Sequence, residues 1–265
     1  MRPDLPDSLL RRLTDVGGRL ADAWLPRACA FCDRTLAPRE RGACAACLRN
    51  LPGRQRRRCR VCALPVLHVR DLHVRDRHVR DLPVATDAQC ACQRSTPAGP
   101  PAFDQTIALA DYAPPLDRLV VALKFRGELG LARALAALGA PALREQAMRA
   151  PQVVCAVPLS GARLAARGYN QAQAIARPLA RELGVPLAPR LLQRVRDTAP
   201  QSTLALAARA SNLAQAFRAD GSAAGRCIVV VDDVMTTGAT LSAAAGALKQ
   251  AGAACVINLV AARTA

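Results

Sequence analysis

The segment Cys227-Ile-Val-Val-Val-Asp-Asp-Val-Met-Thr-Thr-Gly-Ala-Thr-Leu241 concentrates residues that could do chemistry. An apolar, β-branched run reads as a buried strand over Arg226–Val231. It leads into two adjacent carboxylates, Asp232 and Asp233. A loop of small hydroxyl residues follows, and then a helix over Gly238–Gln250. Backbone N–H groups at a helix N-terminus favour an anion. Gly238 permits close backbone approach, and Thr236, Thr237 and Thr240 offer hydroxyl donors. Carboxylates at the strand's end suit ribose hydroxyls, held directly or through Mg2+. Open α/β sheets bind ligands at this carboxyl edge. Capping threonines would explain one hydroxyl but not the adjacent acidic pair.

A second constellation is built from cysteine. Eight of the eleven cysteines precede residue 93, spaced as Cys29-x2-Cys32, Cys44-x2-Cys47, Cys59-x2-Cys62 and Cys90-x-Cys92. Two Cys-x-x-Cys turns supply four thiolates to one tetrahedral ion. Eight cysteines therefore predict two structural Zn2+ sites. Sequential pairing gives Cys29, Cys32, Cys44 and Cys47, then Cys59, Cys62, Cys90 and Cys92. Interleaved pairing would use the same residues. Four thiolates leave no open position for catalysis. Cys155, Cys227 and Cys255 fall in or beside predicted strands and read as small buried hydrophobes.

These groups need two kinds of support. Residues 27–97 are rich in Cys, Arg and Pro and too poor in large apolar residues to fold on burial alone, so metal must hold them. Before them, Leu9, Leu13, Val16, Leu20 and Trp24 mark one face of a short helix within 1–26. Within the arm, His68, His73 and His78 open three copies of His-Val-Arg-Asp. A period of five suits no regular element, so the repeat reads as a low-complexity insertion in a surface loop rather than a ligand set. After the linker Ser95–Pro101, residues 102–265 alternate strands with helices. Strands are expected at Gln105–Ala110, Gln152–Val157, Arg226–Val231 and Ala254–Val260. Helices are expected at Pro115–Phe125, Leu129–Met148, Asn170–Leu183, Leu204–Phe217 and Gly238–Gln250. Residues 190–203 read as irregular. This alternation predicts an α/β domain, a parallel sheet flanked by helices.

The chain has 265 residues, 51% of them apolar, so a real core is possible and global disorder is excluded. No run of eighteen apolar residues exists, which argues against a membrane-spanning helix. No apolar segment follows a basic start, so a cytoplasmic location is expected, where cysteines favour metal over disulfides. The net charge is +17, and 35 of the 37 cations are arginines. The excess is spread over both halves and suits a polyanion, either nucleic acid or a phosphorylated metabolite. The densest run, Arg54-Gln55-Arg56-Arg57-Arg58-Cys59-Arg60, is the best candidate for nucleic acid. With 3% aromatics there are few stacking platforms, so contact would be mostly to phosphates.

The Asp-Asp-Val-Met-Thr-Thr-Gly-Ala-Thr string resembles the phosphoribosyl pyrophosphate motif of the type I phosphoribosyltransferases. A narrower resemblance covers nearly the whole chain. Pro26-Arg27-Ala28-Cys29, Leu123-Lys124-Phe125-Arg126-Gly127, Val157-Pro158-Leu159 and Arg167-Gly168-Tyr169-Asn170-Gln171 look like the ComF family. So do Asp197-Thr198-Ala199-Pro200-Gln201 and Arg209-Ala210-Ser211-Asn212. The resemblance implies a double zinc ribbon joined to a phosphoribosyltransferase-like domain, and an association with DNA uptake in natural transformation. The His-Val-Arg-Asp insertion and the tight Cys90-x-Cys92 depart from the family pattern.

By that resemblance, the loop Pro158–Tyr169 cradles pyrophosphate with Arg163 and Arg167, and Asn170 and Gln171 cap the next helix. Residues 194–212 form a hood in which Arg194, Arg196, Thr198, Gln201, Arg209 and Asn212 close over substrate. Lys124 either approaches a phosphate or suits a helix C-terminus. The implied activity is pentosyl transfer, displacement of pyrophosphate from the anomeric carbon by a nitrogen nucleophile. Asp232 and Asp233 hold the sugar, while Mg2+ and arginines stabilise the leaving group. No histidine follows residue 78, so acid–base help falls to Asp233, water or the substrate. Two other readings stand beside a catalytic transferase. One is a non-catalytic phosphoribosyl pyrophosphate sensor. The other is a competence protein that binds single-stranded DNA and partners of the competence machinery.

Overall fold

The computed structural model describes residues 28–37, 40, 42–66, 100–125, 129–195 and 215–264. The expected N-terminal helix, the His repeat, Cys90, Cys92, Arg196, Thr198, Gln201, Arg209 and Asn212 lie outside these residues. So does most of the expected helix Leu204–Phe217.

The cysteine arm contains the same fold twice. Residues 28–35 close with an antiparallel bridge between Ala28 and Thr35, and residues 58–65 with one between Arg58 and Pro65. Cys29 N–H donates to Arg34 O, and Cys59 N–H to Leu64 O, both at 2.8 Å. Asp33 N–H donates to Cys29 O, and Ala63 N–H to Cys59 O, both at 2.9 Å. Asp33 and Ala63 share a left-handed φ of 56°. Between the knuckles lies α1 (Ala45–Arg49), whose N-cap is Cys44.

The second domain follows the expected alternation. Its elements begin with β1 (Gln105–Asp111), α2 (Leu116–Phe125), α3 (Leu129–Gln146) and β2 (Val153–Ala156). Then come α4 (Gly161–Arg167), α5 (Gln171–Leu183), β3 (Leu192–Arg194) and β4 (Phe217–Ala219). The chain closes with β5 (Cys227–Met235), α6 (Ala239–Gln250) and β6 (Cys255–Arg263). Among the described residues, a four-stranded sheet runs in the order β1-β6-β5-β2, with every neighbouring pair parallel. Both faces are covered, so the strands are apolar without alternation. Cys227, Val229 and Val231 pack with α2, α3 and α5, while Ile228 and Val230 pack with α6. Cys155, Cys227 and Cys255 are buried. No helix among the described residues is long and apolar enough to cross a membrane.

Three expectations are corrected. Strand β5 runs on to Met235 instead of stopping at Val231, because β6 pairs with Asp232, Val234 and Met235 as well. Tertiary pairing overrides the weak strand preference of aspartate. Loop Pro158–Tyr169 folds its centre into α4, with Ser160 as N-cap and Gly168 as a left-handed C-cap at φ 75°. The irregular stretch 190–203 contains β3, which pairs antiparallel with β4, so Phe217 is in a strand and not a helix. Strands of three residues carry too little pattern to show a period.

Arm and sheet are joined by backbone bonds. Thr106 N–H donates to Arg60 O at 2.8 Å, and Asp111 N–H to Pro52 O at 2.7 Å. Asp111 Oδ1 accepts from Arg58 Nη2 at 2.7 Å.

Candidate functional site

Neighbouring strands β2 and β5 are followed by helices on opposite sheet faces, α5 on one and α6 on the other. Their carboxyl ends therefore frame a crevice, the position where open α/β sheets take ligands. The crevice has a volume of about 370 Å³. Asp232 and Asp233 reach it from β5, and Thr240 from α6. Arg163, Arg167 and Asn170 come from the α4 region, Arg194 from the end of β3 and Lys124 from α2. Residues from five separate segments converge there.

The acidic pair is organised locally. Asp232 Oδ1 accepts from Asp233 N–H at 2.9 Å, and Asp233 Oδ1 from Val234 N–H at 2.7 Å. Burial pushes the Asp232 carboxyl up to about 7, and the neighbouring Asp233 charge adds to the rise. Asp233 Oδ2 pairs with Lys124 Nζ at 3.2 Å. The sequence assigns acid–base help to Asp233, water or the substrate, and the carboxyl that burial raises is Asp232. The cause is a burial that strand reading alone could not reveal.

Arg167 and Arg194 rest on aromatic rings. Arg167 Nη1 donates to Gln171 Oε1 at 3.0 Å, and its guanidinium lies over the Phe125 ring at 5.5 Å. Arg194 lies over the Phe217 ring at 5.4 Å. Gln171 Nε2 donates to Lys124 O at 3.3 Å, tying α5 to the end of α2. Asn170 caps α5 by accepting from Gln173 N–H, and its Nδ2 donates to Val157 O at 2.9 Å. Arg163 is exposed on α4.

Thr236, Thr237 and Gly238 form the turn from β5 into α6. Both threonines are exposed, and Gly238 is the N-cap at φ 82°. Thr237 Oγ1 accepts from Ala239 N–H at 3.3 Å. The turn borders the crevice without lining it, and Thr240 is the hydroxyl residue that does line it.

In the arm, Cys29, Cys32, Cys44 and Cys47 bring their sulfurs within 4.8 Å of one another. Cys32 Sγ and Cys44 Sγ are 3.9 Å apart. Sulfurs about 2.3 Å from a tetrahedral Zn2+ are separated by about 3.8 Å, so the set fits zinc. Cys29 Sγ accepts from Phe31 N–H at 3.4 Å and Cys44 N–H at 3.2 Å. The Cys47 N–H holds the Cys44 thiol down to about 6, toward the thiolate that a metal requires. This is the sequential pairing. Cys59 and Cys62 occupy the duplicate knuckle.

Fold and sites together define a cysteine-ribbon arm docked on a phosphoribosyltransferase-like α/β domain. Comparisons with known proteins agree. A phosphoribosyl transferase domain family matches residues 170–264, and a double zinc ribbon domain family matches residues 20–79. The DNA utilization protein YhgH of Salmonella typhimurium is 38% identical over 175 residues, 63% of this chain and 77% of that protein. YhgH of Escherichia coli is 37% identical over 176 residues, covering 65% and 77%. Competence protein F of Haemophilus influenzae is 32% identical over 159 residues, covering 57% and 69%. The chain belongs to the ComF family. Its arm is a ribbon with a structural zinc site.

Proposed function

We propose that the crevice binds phosphoribosyl pyrophosphate with Mg2+ and that the protein serves DNA uptake or utilisation as a phosphoribosyltransferase-like protein. The observation that carries this reading is the convergence of an acidic pair with Lys124, Arg163, Arg167 and Arg194 in one crevice. Carboxylates suit the ribose diol, and guanidiniums suit phosphate oxygens. The names of the relatives, DNA utilization protein and competence protein, support the biological setting.

Each group has a role in this reading. Asp233 accepts from a ribose hydroxyl once Lys124 turns toward phosphate. Asp232, held near neutrality, exchanges a proton at the same diol. Arg163 and Arg167 orient the pyrophosphate as negative charge gathers on it. Mg2+ arriving with the ligand would be held by the acidic pair and would neutralise charge on the leaving group. The hood residues Arg194, Thr198, Gln201, Arg209 and Asn212 would exclude water.

Calorimetry with phosphoribosyl pyrophosphate and Mg2+ tests the reading. Binding should weaken in Asp233→Asn and in Arg167→Ala. Pyrophosphate release with a nitrogen acceptor would make the protein a transferase. Binding without turnover for any nucleobase or amine would make it a sensor. No binding by the wild type removes the reading.

A further inference from the structure

The turn that carries Thr236 and Thr237 is held from beneath by a residue outside the crevice. Arg263 ends β6 and is 6% exposed. Its Nε donates to Cys62 O at 2.9 Å. Its Nη1 donates to Met235 O at 3.2 Å, to Thr236 O, and to Thr264 O at 2.5 Å. Cys62 belongs to the second cysteine knuckle. Met235 is the last residue of β5, and Thr236 is the first of the turn.

One buried cation therefore joins a cysteine knuckle to the candidate phosphate turn. Packing runs the same way. Val61, inside the knuckle, packs against the cluster that contains Met235 and Leu241. A Cβ at Gly238 would meet Met235 Cε at 2.5 Å, so the turn also rests on Met235. A buried guanidinium is tolerated only while its donors are satisfied. If the Cys62 carbonyl leaves, Arg263 loses the acceptor that fixes its Nε, and the guanidinium no longer holds Met235 O and Thr236 O in one place.

We propose that Arg263 is a positioning residue that couples the folded second knuckle to the threonine turn, so that unfolding of the Cys59–Cys62 knuckle loosens the turn. The consequence for ligand rests on the phosphoribosyl reading of the crevice, whereas the coupling of knuckle to turn does not. The folded state of the second knuckle would then set affinity in the α/β domain.

Amide hydrogen exchange on the full, zinc-loaded chain tests this. Cys62→Ser should speed exchange across 236–240 about tenfold, matching the loss of one charge-assisted hydrogen bond, while α5 stays protected. Arg263→Met should give the same acceleration with zinc content unchanged. Adding Cys62→Ser to it should have no further effect on the turn. Arg263→Lys keeps the charge without the fork and should fall between; it completes the cycle if Arg263→Met does not fold. Unchanged turn exchange in Cys62→Ser overturns the proposal. Strictly additive effects, or acceleration spread equally over the sheet and α5, also overturn it. Calorimetry with phosphoribosyl pyrophosphate and Mg2+ is a separate arm. Weaker binding by Cys62→Ser extends the coupling to the ligand, and unchanged binding confines it to the turn and refutes its effect on affinity. No binding by the wild type refutes the crevice reading, while exchange still decides the coupling.

Discussion

Lys124 Nζ sits 3.2 Å from Asp233 Oδ2, joining the end of α2 to the carboxyl end of β5. The chain has only two lysines, and this one faces an acidic pair across the crevice. Its charge opposes the rise in the Asp232 carboxyl caused by burial and by Asp233. Lys124→Met should therefore move the Asp232 titration further above 7. Carboxyl-carbon NMR of labelled protein would show it, and a titration that stays in place or falls would disprove the pairing's role. The pair is partly screened by solvent, so stability should change by less than about 1 kcal/mol.

Asp232 itself predicts a pH dependence of folding. Its folded value of about 7 lies above the ordinary carboxylate value. The folded state therefore keeps this proton while the unfolded chain loses it. The contribution favours folding at low pH and is lost as pH rises from about 4 toward about 7. Asp232→Asn should flatten the stability profile in that window by an amount on the order of 4 kcal/mol, what moving a carboxyl from about 4 to about 7 is worth. Urea unfolding at pH 4 and pH 8 measures it. An equal pH slope in both proteins would place the charge effect elsewhere.

Most of this crevice is written in local sequence. The run Cys227–Leu241 specifies strand, acidic pair, turn and helix in that order within fifteen residues, although the strand runs through the acidic pair to Met235. Asn170 and Gly184, at the two ends of α5, are ordinary cap signals. Three relationships could not be read that way. Lys124 reaches Asp233 only through the packing of α2. Arg263 meets Cys62 only because the arm docks on β6. The pairing of β3 with β4 joins segments far apart in the chain. Each is long-range, and none leaves a periodic trace in sequence.

Gly238 is required by geometry. Its φ is 82°, and an added Cβ would come within 2.5 Å of Met235 Cε. Gly238→Ala imposes left-handed backbone on a residue with a Cβ, costing about 1–2 kcal/mol. Met235 can move its terminal methyl, so the larger effect should be on the turn. Thermal unfolding should shift down modestly while affinity for phosphoribosyl pyrophosphate falls more than tenfold, about what losing one charge-assisted contact would cost. Unchanged affinity would show that the turn does not meet the ligand.

Metal content should follow the cysteine pairing. Plasma emission on the purified chain should return about two zinc ions. Cys29→Ser or Cys44→Ser should remove one, since those sulfurs share a site. Cys59→Ser should remove the other and leave the first. A wild-type content of one would mean that the second knuckle, though folded alike, holds no metal of its own.

The arginine cluster 54–60 divides into two roles, which predicts two kinds of variant. Arg58 is committed inward, donating to Asp111 Oδ1 at 2.7 Å, Gly53 O at 3.0 Å and Ala63 O at 3.1 Å. It holds the arm on β1 and is not free for nucleic acid. Arg57 and Arg60 are exposed. Arg58→Ala leaves partly buried acceptors unmatched and should cost about 1–3 kcal/mol of stability. If the arm binds single-stranded DNA, Arg57→Ala and Arg60→Ala should each reduce the slope of log affinity against log salt by roughly 0.7. Neither should alter unfolding. Fluorescence anisotropy over a salt series would separate them. A slope that drops in Arg58→Ala but not in the other two would reverse the assignment and place the phosphate contact at the junction of arm and sheet.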